Sequence, residues 1–258
     1  MADSRSAIGV FDSGVGGIGT LAQLRHELPQ ENFIYYGDTA HAPYGTKSPE
    51  EVLACVRDVM DELLARDVKA VVIACNTATS VAAAQLRAEM TLPIIGMEPA
   101  LKPAAEAREN GKILVLATPV TLRLEKFALL MERFGEGAER VPCPGLMELV
   151  EAQDFARAES YLKELLAAYD MSSVDSLVLG CTHYVFLRPI LAKMLPAHVR
   201  IFDGNAGTAR QLRRVLEQHG LLSTGREQGT TTLMTSSDSR EEALLVMQTL
   251  LDIAPIQP

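Results

Sequence analysis

The stretch VVIACNTATS, residues 71–80, runs four apolar residues into Cys75 and then places amide and hydroxyl residues ahead of the alanine-rich VAAAQLRAEM. DSLVLGCTHYVFL, residues 175–187, repeats the plan with an apolar run, a small residue, Cys181, then Thr182 and His183. Each reads as a buried strand, a polar turn and a helix start. A thiol at a helix N-terminus faces unpaired backbone N–H groups and the positive end of the helix dipole, and both favour the thiolate. An ordinary thiol, with a pKa of about 8.5, is less than about one-tenth ionised near neutral pH, and a fall of about one unit makes it a useful base or nucleophile. One such thiol allows a hydrolase nucleophile, a redox sensor or plain packing. Two matched thiols suggest proton transfer on two sides of one substrate, because inverting a stereocentre needs one group to take the α-proton and another to deliver a proton to the opposite face.

The other two cysteines read differently. Cys55, inside the helical EEVLACVRDVM, and Cys143, between prolines in VPCPG, are small hydrophobes that pack. The four are scattered without a C-x-x-C pair, which disfavours a structural zinc site or a disulfide framework and predicts free thiols. His26, His41, His198 and His219 show no metal-ligand spacing and read as surface or structural residues, so no metal is expected. A net charge of -9 argues against a chain that coats nucleic acid. No apolar run is long enough to span a bilayer, and MADSRSAIGV has no hydrophobic signal core, so the expected location is the cytoplasm.

These residues need a scaffold that brings strand ends to helix starts. Short apolar runs, AIGVFD, NFIYYGD, AVVIAC, LPIIGM, KILVLAT, RVPC, SLVLGC, VRIFDG and TTTLMTS, alternate with helical stretches such as SPEEVLACVRDVMDELLARD and NAGTARQLRRVLEQHG. That alternation predicts an α/β fold with mainly parallel sheets covered on both faces. A weaker echo links GVFDSGVGG with LVLATPVTL, so the chain reads as two α/β units of related design. GVGGIG, residues 14–19, with Asp38 ending the second strand, also fits a dinucleotide fingerprint and admits a nicotinamide-dependent oxidoreductase. Asp12 and Ser13 intervene before the first glycine, however, and put a carboxylate where a pyrophosphate should lie. The preferred alternative is a sharp turn whose amides approach a small anion such as a substrate carboxylate.

Together GVFDSGVGG, YYGDTAHAPYGTKS, ACNTATS, LGCTHY and, less closely, GMEPALKPA resemble the motifs of the glutamate racemases, in the aspartate/glutamate racemase superfamily. The resemblance implies cofactor-independent interconversion of L- and D-glutamate, supplying D-glutamate for peptidoglycan. It also implies two similar α/β domains, residues 1–97 plus 209–258 and residues 98–208, with the substrate in the cleft between them. Cys75 and Cys181 match the two acid/base groups, facing the α-protons of D- and L-glutamate respectively. Asp12 and His183 match the groups that assist each thiol and also contact substrate. Ser13, Tyr44, Gly45, Asn76, Thr77 and Thr182 match substrate-holding positions, and Asp38 and Glu151 match further acidic positions.

The chain departs from the family pattern at Leu124 and Phe127, where serine and tyrosine are common, and at Val185, where proline is common. All three are expected to border the site. Two other readings stay open: a racemase of another amino acid such as aspartate, and a regulatory protein that binds DNA gyrase on the same fold. The resemblance leaves room for a homodimer. The N-terminal extension that enteric relatives use for activation by a cell-wall precursor is expected to be missing.

Overall fold

The computed structural model describes residues 3–257, and the chain forms two compact units, Met1–Met97 with Asn205–Pro258, and Glu98–Gly204.

The first unit opens with β1 (Ile8–Asp12), α1 (Ile18–Glu27), β2 (Phe33–Gly37), α2 (Pro49–Leu64), β3 (Ala70–Ile73), α3 (Asn76–Glu89) and β4 (Ile94–Gly96). The second runs α4 (Leu101–Ala107), β5 (Lys112–Ala117), α5 (Glu125–Phe134), β6 (Ala138–Pro142), α6 (Leu146–Glu151), α7 (Phe155–Leu166), β7 (Val174–Leu179), α8 (Arg188–Met194) and β8 (Arg200–Phe202). The chain then returns to the first unit with α9 (Asn205–Gln218), β9 (Thr231–Thr235) and α10 (Arg240–Ile253). Thr20 of α1 donates to the Asn205 side chain at 2.9 Å, anchoring the start of α9 on the first unit.

Both sheets are parallel throughout, in the orders β4-β3-β1-β2-β9 and β6-β5-β7-β8. β1 and β3 are buried along their whole length, as strands covered on both faces must be. α2 starts at a capping box in which Ser48 and Glu51 satisfy each other's backbone N–H groups, with Pro49 in the first turn. Its apolar stripe of Val52, Val56, Val59, Met60 and Leu63 then packs in one core with Phe11, Val71 and Ile73 of the sheet. In the second unit Ile113, Val115 and Ala117 form the matching core with Leu101, Ala104 and Phe127.

The strand orders decide where a site can form. From β1 the chain crosses to β2 on one side, then back past β1 to β3 on the other, so the topological switch point lies between the carboxyl ends of β1 and β3. The second unit repeats this with β5, β6 and β7, putting its switch point between β5 and β7. Hydrogen bonds past the strand ends match as well. Ala74 N–H donates to Phe11 C=O at 2.8 Å and Gly180 N–H to Leu116 C=O at 2.7 Å. Asp38 N–H donates to Asp12 C=O and Cys143 N–H to Ala117 C=O, each at 3.0 Å. The two units therefore share one construction, and Cys75 and Cys181 occupy equivalent positions within it.

Candidate active site

In the first unit Asp12 ends β1 and Cys75 follows β3, the neighbouring strand at the switch point. Asp12 is 1% exposed, and its Oδ1 accepts the Gly14 N–H at 3.0 Å. Gly17 makes this proximity sterically feasible: a Cβ there would lie 2.7 Å from Asp12 Cβ and 3.0 Å from Ala74 Cβ. Cys75 is the N-cap of α3, where its Sγ accepts the Ala78 N–H at 3.4 Å and lies 3.6 Å from Ser13 Oγ. The thiol is nevertheless pushed up to about 12, by burial first and then by the Asp12 charge, against the opposing N–H groups of Ala78 and Ser13. The expected fall in its pKa is thus reversed, because a dry site beside a carboxylate penalises thiolate more than the helix start rewards it.

Asn76 and Thr77 form the first turn of α3, Asn76 buried and Thr77 half-buried. Tyr44 and Gly45 lie in the 3-10 turn Tyr44–Thr46. Buried Tyr44 donates its hydroxyl to Asp38 Oδ2 at 2.6 Å, and Asp38 Oδ1 pairs with His41 Nδ1 at 2.8 Å. Burial, then the Asp38 carboxylate, pushes the Tyr44 hydroxyl well above its ordinary pKa, so it stays a donor. This geometry disfavours the dinucleotide reading: the Gly14 amide is engaged by Asp12, and both Asp38 oxygens have protein partners. The Gly14 amide is likewise not turned toward a small anion.

In the second unit Cys181 follows β7 at the equivalent switch point. The segment after it is a 3-10 helix, Thr182–Leu187, and Cys181 makes no side-chain cap. The expected α-helix N-terminus is absent there, and the thiol's polar neighbour is instead a side chain. Cys181 Sγ lies 3.6 Å from His183 Nδ1, and His183 Nε2 lies 3.0 Å from Oε1 of Glu151, the last residue of α6. Burial pulls the His183 pKa down, but Cys181 and Glu151 outweigh it and hold the imidazole well above its ordinary value of 6.5. Burial likewise raises Glu151, yet its bond to His183 brings the carboxyl below its usual range. Thr182 is buried beside the thiol in sequence.

Several contributors carried no sequence signal. Tyr35 reads as a core aromatic of β2, yet its hydroxyl donates to Gly14 C=O at 2.8 Å and fixes the glycine turn. Tyr184 donates to Cys143 C=O at 3.2 Å, bracing the strand end opposite Cys181. Cys143 is buried, with a thiol pushed up to about 12 by burial and then by Cys181. The departures at Leu124 and Phe127 belong to the core. Phe127 is buried among Ile113, Val115 and Leu122 with Arg140 5.6 Å from its ring centre, and Leu124 packs on the same cluster as an α5 N-cap without an acceptor. Val185 is buried within the 3-10 segment.

Fold and site together define a two-unit α/β protein that sets a cysteine with a polar side chain beside it at the switch point of each sheet. The chain belongs to the Asp/Glu/Hydantoin racemase family, whose pattern it matches over residues 19–212. It is 48% identical to a glutamate racemase of Bifidobacterium adolescentis over 96% of this chain and 99% of that one. A crystal structure of a Bacillus anthracis glutamate racemase superimposes with a TM-score of 0.84 at 31% identity, covering 96% of this chain and 95% of that one. The Escherichia coli glutamate racemase, solved with L-glutamate and the activator UDP-MurNAc-ala, gives a TM-score of 0.83 at 31% identity, with 95% of each chain covered. No helix among the described residues is long and apolar enough to cross a membrane.

Proposed function

We propose that this chain is a glutamate racemase that interconverts L- and D-glutamate by exchanging the Cα proton between two cysteines, without a cofactor. The observation that carries the proposal is the equivalence of Cys75 and Cys181 in two units of one topology, each with a polar partner of its own. The likeness to glutamate racemases along nearly the whole chain supports the choice of substrate.

In the proposed reaction one thiol works on each face of the substrate's Cα. Cys75 takes the proton from D-glutamate while Cys181 delivers one to the opposite face; from L-glutamate the roles exchange. A thiol with a pKa near 12 is a poor resting base but a strong one once ionised, and Asp12, whose charge acts on Cys75, assists its proton exchange in this reading. On the other face His183 holds a proton between Cys181 and Glu151 and passes it to or from the sulfur. Ser13, Tyr44, Gly45, Asn76, Thr77 and Thr182 grip the two carboxylates and the ammonium. Exclusion of water strengthens these fixed dipoles as the carbanion develops. The described cysteines are free thiols, which suits the reducing cytoplasm, where D-glutamate would enter peptidoglycan synthesis.

The test is chiral chromatography of the purified protein with glutamate, aspartate and a small panel of other amino acids. Both glutamate enantiomers should run to the same near-equal mixture. Turnover of aspartate alone would redirect the assignment within the family, and inertness of the folded protein toward every amino acid would reject it.

A further inference from the structure

Asp38, His41 and Cys55 show no metal spacing along the chain, yet the fold gathers them. A carboxylate oxygen of Asp38, a ring nitrogen of His41 and Cys55 Sγ all lie within 4.8 Å of one another. Asp38 follows β2, His41 closes the 3-10 turn Thr39–His41, and Cys55 sits on α2, so three segments meet there. The cluster runs from buried Asp38 through half-buried Cys55 to solvent-exposed His41, giving an anchored ligand and an open entry path.

Part of this arrangement is already set. Tyr44 holds Asp38 Oδ2 at 2.6 Å, leaving Oδ1 turned to His41 Nδ1 at 2.8 Å. A metal-bound carboxylate needs such an outer hydrogen bond to orient it. Thiolate, imidazole and carboxylate together suit a borderline-soft cation, with the fourth tetrahedral position left to water. Mg2+ and Ca2+ prefer shells of oxygen and fit poorly.

We propose that Asp38, His41 and Cys55 form a Zn2+-binding site that ties the turn carrying Tyr44 and Gly45 to α2. The site uses neither proton-transfer thiol and does not depend on the racemase assignment.

The test uses the full chain carrying Cys75→Ala and Cys181→Ala, so that neither reactive thiol can bind metal. Titration with Co2+ should give a saturable thiolate-to-cobalt absorption band at one equivalent, which Zn2+ displaces. Adding Cys55→Ser should abolish the band, and adding His41→Ala should weaken it. Outer-shell partners alone change metal affinity by about 10–100-fold, so losing a ligand should weaken Zn2+ binding by more than about tenfold. In the otherwise unmodified protein, Zn2+ should raise Tm, and Cys55→Ser should reduce that rise. Absence of the band from the folded double variant, its persistence after Cys55→Ser, or identical Zn2+ shifts with and without Cys55 would each overturn the site.

Discussion

Cys181 Sγ and His183 Nδ1 stand 3.6 Å apart, two residues from each other in sequence, and the far side of the imidazole is held by Glu151. The 3-10 path of Thr182–Leu187 lets a thiol and the next residue but one share a buried site. Cys181 and Glu151 both raise the His183 pKa, against the burial that lowers it.

Glu151→Gln should therefore lower the His183 pKa, read from the imidazole Cε1–H resonance. The sign of the stability effect follows by linkage. His183 binds its proton more tightly folded than unfolded, so its contribution is full below 6.5 and is lost as pH rises through the raised value. Glu151 titrates lower when folded, so its contribution is present above 4.5 and is lost as pH falls through the lowered value. Urea unfolding should show the wild-type advantage over Glu151→Gln widest between these limits, at about 1.5–3 kcal/mol, and smaller on both sides.

Asp12→Asn should move two readouts in opposite directions. Removing the carboxylate relieves a charge that raises the Cys75 pKa, so peptide-resolved alkylation of Cys75 at fixed pH should speed up several-fold. Racemisation should slow by about 10²-fold or more if Asp12 assists proton exchange at the thiol as proposed. A parallel fall in both rates would show that Asp12 only supports the fold.

Gly17→Ala tests whether close packing sets the Asp12–Cys75 arrangement. The added methyl would meet Asp12 Cβ at 2.7 Å, Ala74 Cβ at 3.0 Å and the Tyr35 hydroxyl at 3.1 Å, and α1 cannot withdraw without opening the core. A loss of about 1–3 kcal/mol is expected in denaturant unfolding, with a fall in kcat larger than that of a matched surface variant.

Much of this structure was legible in the sequence. Every apolar run named as a strand carries one, most plainly β1 and β3, which are buried on both faces and so read as uninterrupted apolar residues. Cys75 and Cys181 stood out because their runs end abruptly in polar residues. The helices passed over have physical reasons for weak signals: α4 is short and contains Pro103, α6 spans only six residues, and α8 is short and carries Pro189 in its first turn. α10 has Leu245 and Ile253 on its exposed side, which blurs a one-faced pattern. Relationships across the chain were harder. Glu151 reaches His183 only because α6 packs against the 3-10 segment, and Cys55 nears Asp38 only through the packing of α2. The pKa of Cys75 could not be judged from its helix position alone, since burial decides its sign.

The central claim, one thiol on each face of Cα, is tested most directly by initial-rate racemisation in D2O from each glutamate enantiomer, with mass analysis of product and recovered substrate. Two separate bases predict product carrying one deuterium at Cα from its first appearance, while recovered substrate keeps its protium. Product that retains the substrate's own proton, or substrate that gains deuterium as fast as product forms, would contradict a two-sided exchange between Cys75 and Cys181.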